Sequence, residues 1–367
     1  MEPVLELVVS TQPGGGPQHV LALATGLRTR GWRPLVAGPR DGALFDRFRE
    51  SGVEIVKAPT RRFSPFTLSR LTRLARRSGA RVVHSHGKGA GVYGRLVARR
   101  LGLPAVHTFH GIHYEGYRRP ARAAYLALER RLSRWTRVVV NVSRAQEAEG
   151  LALRLFTRAQ SRVIVNGVDG ARLAATALDR WDARAALGLD TAASVVGCAA
   201  RFDPVKRLDL LVCACAAIPD PGARLVLIGR GSEERQLRTL AADLGVASRV
   251  VFAGEIPDAV RLFPAFDVYA ASAAKEGMPL AVLEAMALGL PIVASDIAAH
   301  REVLGPQSDG LVAGSVEALA AALARLLADA GLRGVLGSMN RTRARSEFSL
   351  HGMLDGVAAV YREVTGL

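Results

Sequence analysis

Cysteine is almost missing from this chain: Cys198, Cys213 and Cys215 are the only three in 367 residues. They sit close together among Leu, Val and Ala, with no second cysteine pair and no nearby histidine. This excludes a disulfide scaffold and a structural zinc site, and reads as reduced core thiols. Aromatic residues make up only 5%, and no nucleic-acid-binding module is recognisable, which argues against a base-stacking surface. No uncharged apolar run reaches the roughly 18 residues a membrane span needs. The first residues, MEPVLELVVSTQ, join an acidic start to a short apolar run and do not resemble a secretion signal. A cytoplasmic location is therefore expected. Lysine is also scarce: of 49 basic residues only Lys57, Lys88, Lys206 and Lys275 are lysines.

The charge that is present is unevenly placed. Met1 to Gly170 holds 29 Lys plus Arg against 11 Asp plus Glu, a surplus of 18, whereas the remainder holds 20 against 22. A basic first half implies an anionic partner for that half: nucleic acid, which the missing binding module argues against, an anionic membrane surface, or a phosphorylated substrate.

Nearly half of the residues are apolar (49%), and the length exceeds what one core usually organises, so two domains are expected. In the first half "LELVVS", "RPLVAG", "VEIVKA", "ARVVHS", "PAVHTF", "TRVVVNV" and "SRVIVN" read as strands buried on both faces. Segments of helical period ending in glycine separate them. After a Gly- and Asp-rich stretch the alternation restarts with "SVVGCAA", "ARLVLIG", "RVVFAG", "DVYAAS" and "PIVASD". The pattern predicts an α/β protein of two doubly wound parallel sheets, spanning 1–168 and 169–348, with a last amphipathic helix at 349–367 that could pack on either.

Four segments carry candidate chemistry. In "KEGMPLAVLEAMALGLPIVASD", Pro279 suits the first position of a helix that Gly289 stops. Its free amides could hold an anion or a sugar hydroxyl. Glu276 precedes the helix where a ligand would sit. Glu284 lies among Leu283, Ala285 and Met286, where a buried carboxylate needs a partner that a ribose diol would supply. The plainer reading makes Glu276 an acidic cap and turns Glu284 to solvent. In "RFDPVKRLDLLV", Arg201 and Lys206 flank a turn after a strand and could converge on a diphosphate, or be merely solvated. In "PGGGPQHV", Gly14, Gly15 and Gly16 permit close backbone approach, but the spacing is not that of a dinucleotide fingerprint. In "VVHSHGKG" and "HTFHGIHYE", His86 and His110 lie at or just past strand ends, while His84 and His107 fall inside strands. No carboxylate or cysteine accompanies these histidines at ligand spacing, so no metal is expected. Hydrogen bonding to a substrate hydroxyl and a structural role stand side by side.

In their order and spacing the glycine loop, the histidine pair, "VNGVD", "RFDPVK", "GRGSEERQL", "VVFAGEIPD", "EGMPLAVLEAMALGLPIVASD" and "HREVL" resemble the family-four retaining glycosyltransferases. The likeness covers nearly the whole chain. It implies the GT-B fold, two facing Rossmann-like domains with an interdomain cleft and the nucleotide-sugar held mainly by the second. It implies that Glu276 and the amides of Gly277, Met278 and Leu280, at Pro279, lie beside the donor sugar. It further implies that Glu284 binds ribose, that Arg201 and Lys206 hold the diphosphate, and that Gly14, Gly15 and Gly16 approach that diphosphate from the first domain. His110 would sit near the transferred sugar, Glu255 and Ile256 would receive the base, and His86 would lie on the acceptor side. No metal and no cofactor beyond the donor is implied.

Ala298 and Ala299 stand where many relatives have two glycines, so no ligand contact is carried over there. The acceptor expected is a glycan or a polyprenyl-linked glycan, as in cell-surface polysaccharide or glycolipid synthesis. "FTLSRLTRLARRSG" fits either a basic amphipathic helix lying on the inner face of the cell membrane or a sheet-covering helix with a solvated basic face. The rival functions are a non-catalytic nucleotide- or glycan-binding protein and an epimerase on the same fold. A phosphorylase, which would need a pyridoxal-bearing lysine, has no sequence signal.

Overall fold

The computed structural model describes residues 1–114 and 116–367. The chain divides into two compact units, Met1–Asn166 with Leu350–Leu367, and Gly167–Ser349. Among the described residues the first is built on seven strands: β1 (Glu2–Val8), β2 (Trp32–Gly38), β3 (Glu54–Lys57), β4 (Val82–His86), β5 (Ala105–Thr108), β6 (Val138–Asn141) and β7 (Ser161–Val163). They lie in the order β3-β2-β1-β4-β5-β6-β7. The second has six: β8 (Ser194–Ala199), β9 (Ala223–Ile228), β10 (Val250–Gly254), β11 (Val268–Ala271), β12 (Ile292–Ser295) and β13 (Leu311–Val312). Their order is β10-β9-β8-β11-β12-β13. Every pairing in both sheets is parallel, so the expected pair of doubly wound parallel sheets is what forms. Each strand segment read from the sequence contains a strand; β13 alone went unread, because a two-residue edge strand carries no pattern.

Alternation along β1 shows how the first sheet is covered. Leu5 and Leu7 face a core shared with the helices Pro65–Ser78 and Lys88–Leu101. Val4 and Val8 face the other side, under Gly15–Leu27 and, for Val4, the final helix Leu350–Thr365. The sequence left that final helix unassigned between units. It belongs to the first, where Met353, Leu354, Val357 and Tyr361 pack on Leu23, Trp32, Val82 and Val106. Gly26 lets it approach, since a Cβ there would stand 2.3 Å from Leu354 Cδ1.

The helix Pro65–Ser78 corrects one expectation. Leu68, Leu71 and Ala75 are buried in the sheet-facing core, so its leucines are not available to a membrane. Arg70, Arg73, Arg76 and Arg77 line the exposed face, and Phe63 and Phe66, 57% and 67% exposed, stand at its start.

Because the final helix fills a core rather than lying on it, Leu354→Ala is expected to destabilise the protein by about 2–5 kcal/mol. Urea unfolding followed by circular dichroism measures this. A loss under about 0.5 kcal/mol, typical of a surface substitution, would contradict the packing.

Candidate functional site

In both sheets the loops at the carboxyl ends of the strands hold the candidate residues. In the second unit β8 runs into Ala200, Arg201 and the buried Phe202, then a tight turn at Pro204–Lys206 and a left-handed Arg207 (φ 49°). Gly229 and Gly231, after β9, fit against this segment. A Cβ on the first would lie 1.9 Å from Ala200 O and on the second 2.4 Å from Phe202 O. The loop after β11 is tied to the same turn by Ala274 N donating to Val205 O (2.8 Å) and Ser272 Oγ to Lys206 O (2.9 Å). Ser295 at the end of β12 donates to Ala273 O (2.6 Å). The ends of β8, β9, β11 and β12 thus lock one another.

That framework brings Lys206 and Glu276 together as an ion pair, with 22% and 17% of their side chains exposed. Arg201 pairs instead with Asp203 (2.9 Å) and is largely exposed. Gly277, Met278 and Pro279 are buried, and the helix runs Leu280–Ala287 with Pro279 as its cap rather than its first residue, because its ψ of 94° is not helical. Among the described residues no hydrogen bond engages the amides of Gly277, Met278 or Leu280. A cation, a carboxylate and free amides therefore converge at one helix start.

Glu284 lies on that helix between buried Leu283 and Ala285, itself partly covered, which sets aside the solvent-facing reading. Its carboxylate has no hydrogen-bond partner among the described residues. Burial, with Asp258 adding and Arg172 opposing, pushes it up to about 7. Asp258 closes the loop of Glu255, Ile256 and Pro257 that leaves β10, so that loop borders Glu284. His300, on the helix Ala298–Leu304, is fully buried. Its Nδ1 bonds Ser295 O (2.7 Å), and its Nε2 has no partner among the described residues. Glu276 and Lys206 are near enough to act on its charge. The sequence reading named "HREVL" but gave this histidine no role. Cys198, below the pair, is pushed up to about 12 by burial and stays a thiol.

In the first unit Gly14 caps the helix Gly15–Leu27, and a Cβ on Gly16 would stand 3.6 Å from the His110 ring. His110 follows β5 in a left-handed conformation (φ 56°) that non-glycine residues rarely adopt. Its Nε2 lies 2.9 Å from His86 Nδ1, and His86 Nε2 lies 2.8 Å from Glu6 Oε2. His86 is 2% exposed with both nitrogens engaged, so it is corrected from an acceptor-side contact to a buried member of this chain. Glu6 also accepts from Tyr361 OH (2.6 Å), which lies 2.5 Å from His84 Nδ1, and His84 Nε2 meets Thr108 Oγ1 (2.9 Å). His19 Nδ1 meets Asn166 Oδ1 (2.9 Å). Burial holds His84, His107 and His110 well below the usual histidine range and His19 at about 3.

No carboxylate accompanies the histidines at ligand spacing in the sequence, the ground for expecting no metal, but Glu6 supplies one in space. Two sets, His19–His86–His110 and Glu6–His84–His86, bring ligand atoms within 4.8 Å. His86 is already joined to His110 and to Glu6 by the hydrogen bonds above, whereas His19 Nε2 is buried with no partner among the described residues. Glu6, His19 and Tyr361 were missed, although a glutamate inside the both-faces-buried run "LELVV" was a visible signal.

Comparison with known proteins agrees with this arrangement of parts. Residues 13–172 match the family described as Glycosyltransferase Family 4, and residues 179–343 match Glycosyl transferases group 1. The chain is 30% identical to the lipopolysaccharide core biosynthesis mannosyltransferase LpsB of Rhizobium meliloti, over 65% of this chain and 71% of that protein. It is 32% identical to the D-inositol 3-phosphate glycosyltransferase of Saccharomonospora viridis, over 77% and 70%. Anabaena HepE, solved with UDP and glucose, superposes with a TM-score of 0.88 at 23% identity, over 99% of this chain and 100% of that one. Sucrose-phosphate synthase of Thermosynechococcus elongatus does so with 0.85 at 22%, over 100% of both. The two parallel-sheet units are those of the GT-B fold, and the chain belongs to the glycosyl transferases group 1 family of glycosyltransferases.

Proposed function

We propose that the protein is a retaining hexosyltransferase that moves a sugar from a nucleoside-diphosphate sugar to a glycan or lipid-linked acceptor. The observation that carries this is the Lys206–Glu276 pair at the helix start with free amides, Glu284 one and a half turns behind it. In the free protein the two charges neutralise each other. A bound diphosphate takes Lys206, with Arg201 as second cation, and frees Glu276 to accept from sugar hydroxyls. The departing diphosphate then gains negative charge against fixed cations, the kind of stabilisation that dominates such reactions. No second carboxylate is assigned as nucleophile; the leaving phosphate accepts the acceptor's proton on the same face. Glu284 receives the ribose diol, which supplies the donors its carboxylate lacks. The mannosyltransferase and the D-inositol 3-phosphate glycosyltransferase among the relatives, and HepE with UDP and glucose, support a nucleotide-sugar donor of this class.

The acceptor reading extends to location. The exposed arginines of Pro65–Ser78, beside Phe63 and Phe66, form a basic surface suited to the anionic inner face of the cell membrane. Among the described residues no helix is long and apolar enough to cross a membrane, so attachment by this route is peripheral.

A panel of nucleotide sugars, assayed for slow nucleotide release and then with acceptor, identifies the donor. Lys206→Ala is expected to lower turnover with that donor by roughly a hundredfold. Loss confined to KM would instead assign Lys206 to ground-state binding, and no turnover of any donor would favour the non-catalytic rival.

Glu284 generates a paired expectation. Its folded value of about 7 exceeds the ordinary 4.5, so its contribution to stability is full below about 4.5 and is lost as pH rises through 7. Glu284→Gln removes that penalty. Its Tm should exceed wild type at pH 8, the gap shrinking towards pH 5, while nucleotide affinity falls about tenfold. A higher Tm with unchanged affinity would remove the ribose role.

For the membrane, co-sedimentation with anionic and neutral vesicles compares wild type with Arg70, Arg73, Arg76 and Arg77 changed to Gln. Each arginine near an anionic surface contributes about 1 kcal/mol, so binding to anionic vesicles should fall steeply in the variant and with salt. Equal binding by both proteins would assign the acceptor to solution.

A further inference from the structure

A carboxylate in the middle of a central strand is costly unless every lone pair it turns inward is satisfied. Glu6 is 0% exposed on β1, the third of seven strands, on the face covered by Gly15–Leu27 and Leu350–Thr365. Among the described residues it has no Lys or Arg partner; its oxygens accept from Tyr361 OH and from His86 Nε2. An ionised carboxylate can only accept, so His86 carries its proton on Nε2. A neutral His86 then presents a lone pair at Nδ1, and the 2.9 Å contact to His110 requires a proton on His110 Nε2. What remains on His110 is Nδ1 as a lone pair, which no described residue engages.

The backbone fixes where that lone pair points. His110 is left-handed, Gly111 follows at φ 112°, and Gly111 N donates to Oε1 of the buried Gln146 (3.0 Å). The ring is stacked on His86 at 5.1 Å and met edge-on by His19 at 4.7 Å. It cannot turn over without breaking the His86 bond.

We propose that Glu6, acting through His86, is a positioning residue that fixes His110 with its outer Nδ1 as a hydrogen-bond acceptor, so that this histidine takes a hydroxyl of the substrate and not a phosphate oxygen. This rests on the sugar-transfer reading for its substrate, but not for its geometry. Protonation reverses the outer nitrogen. A proton entering the pair, whether it rests on His110 or passes to His86 beside Glu6, leaves Nδ1 of His110 as an N–H donor. Glu6 is the one negative group facing the pair among the described residues. His19 on the first helix, His84 on β4 and His107 on β5 each disfavour a further positive charge there, and Tyr361 on the last helix supplies a neutral hydroxyl. Glu6 therefore sets the pH at which the acceptor is lost.

The test uses the full chain with 15N-labelled histidine. At pH 7.5, without donor, wild type should show His110 protonated at Nε2 and bare at Nδ1. Glu6→Gln keeps the shape but offers an amide N–H or C=O to His86, so His110 should show a mixed or inverted tautomer. With the donor found by the nucleotide-sugar panel, kcat/KM of the variant should fall about tenfold, and the acid limb of its pH profile should move down by about one unit or more. Wild-type His110 protonated at Nδ1 at pH 7.5 overturns the proposal, even if the variant fails to fold. So does a folded variant with an unchanged tautomer and pH profile, since a merely structural role moves only Tm. If no donor is turned over, the sugar-transfer reading fails while the tautomer still decides the relay.

Discussion

A parallel sheet has no wet face, and that constraint governs this protein. Every strand must be covered twice, which is why the strands read as apolar runs and why the chain returns at Leu350–Thr365 to close the first sheet. It also fixes where polarity can be placed. Strand interiors tolerate it only where the groups are bonded, as Glu6 and His84 are, and the other charged groups collect in the loops at the carboxyl ends, where glycines such as Gly229 and Gly231 let those loops interlock.

The two units meet this constraint in different ways. In the second, Lys206 and Glu276 satisfy each other at partly exposed positions, an arrangement that a ligand can open at small cost because water still reaches both. Glu284 is left without a hydrogen-bond partner among the described residues and rises towards neutrality, as such a covered carboxylate must. In the first, Glu6 lies inside the sheet and cannot be opened. It is satisfied permanently by Tyr361 and His86, and the order this imposes runs outward to His110. One unit holds charge in reserve, and the other has committed it to orientation.

The architecture was legible because it depends on local pattern. Alternating apolar runs and glycine-stopped helical segments give two doubly wound sheets, and a two-residue strand such as β13 is too short to leave a pattern. The convergence of Lys206 on Glu276 was legible only as proximity to one ligand, not as a bond between the two. The helix Pro65–Ser78 shows the same limit: sequence gave its amphipathic period, but which side faced protein depended on a sheet that periodicity does not see.

The sequence by itself determined the sheets, the glycine loops, the carboxylate and cation types at strand ends, and the membership of a family. Tertiary structure alone decided the rest. Glu6 and Tyr361 are 355 positions apart and Glu6 and His86 are 80 apart, yet each pair shares a hydrogen bond. His86 looked like a cleft-facing strand-end side chain, but Glu6 of β1 and His19 of the first helix pack against it. The physical reason is that burial and hydrogen-bond satisfaction are set by what packs from elsewhere in the chain, and no local pattern records them.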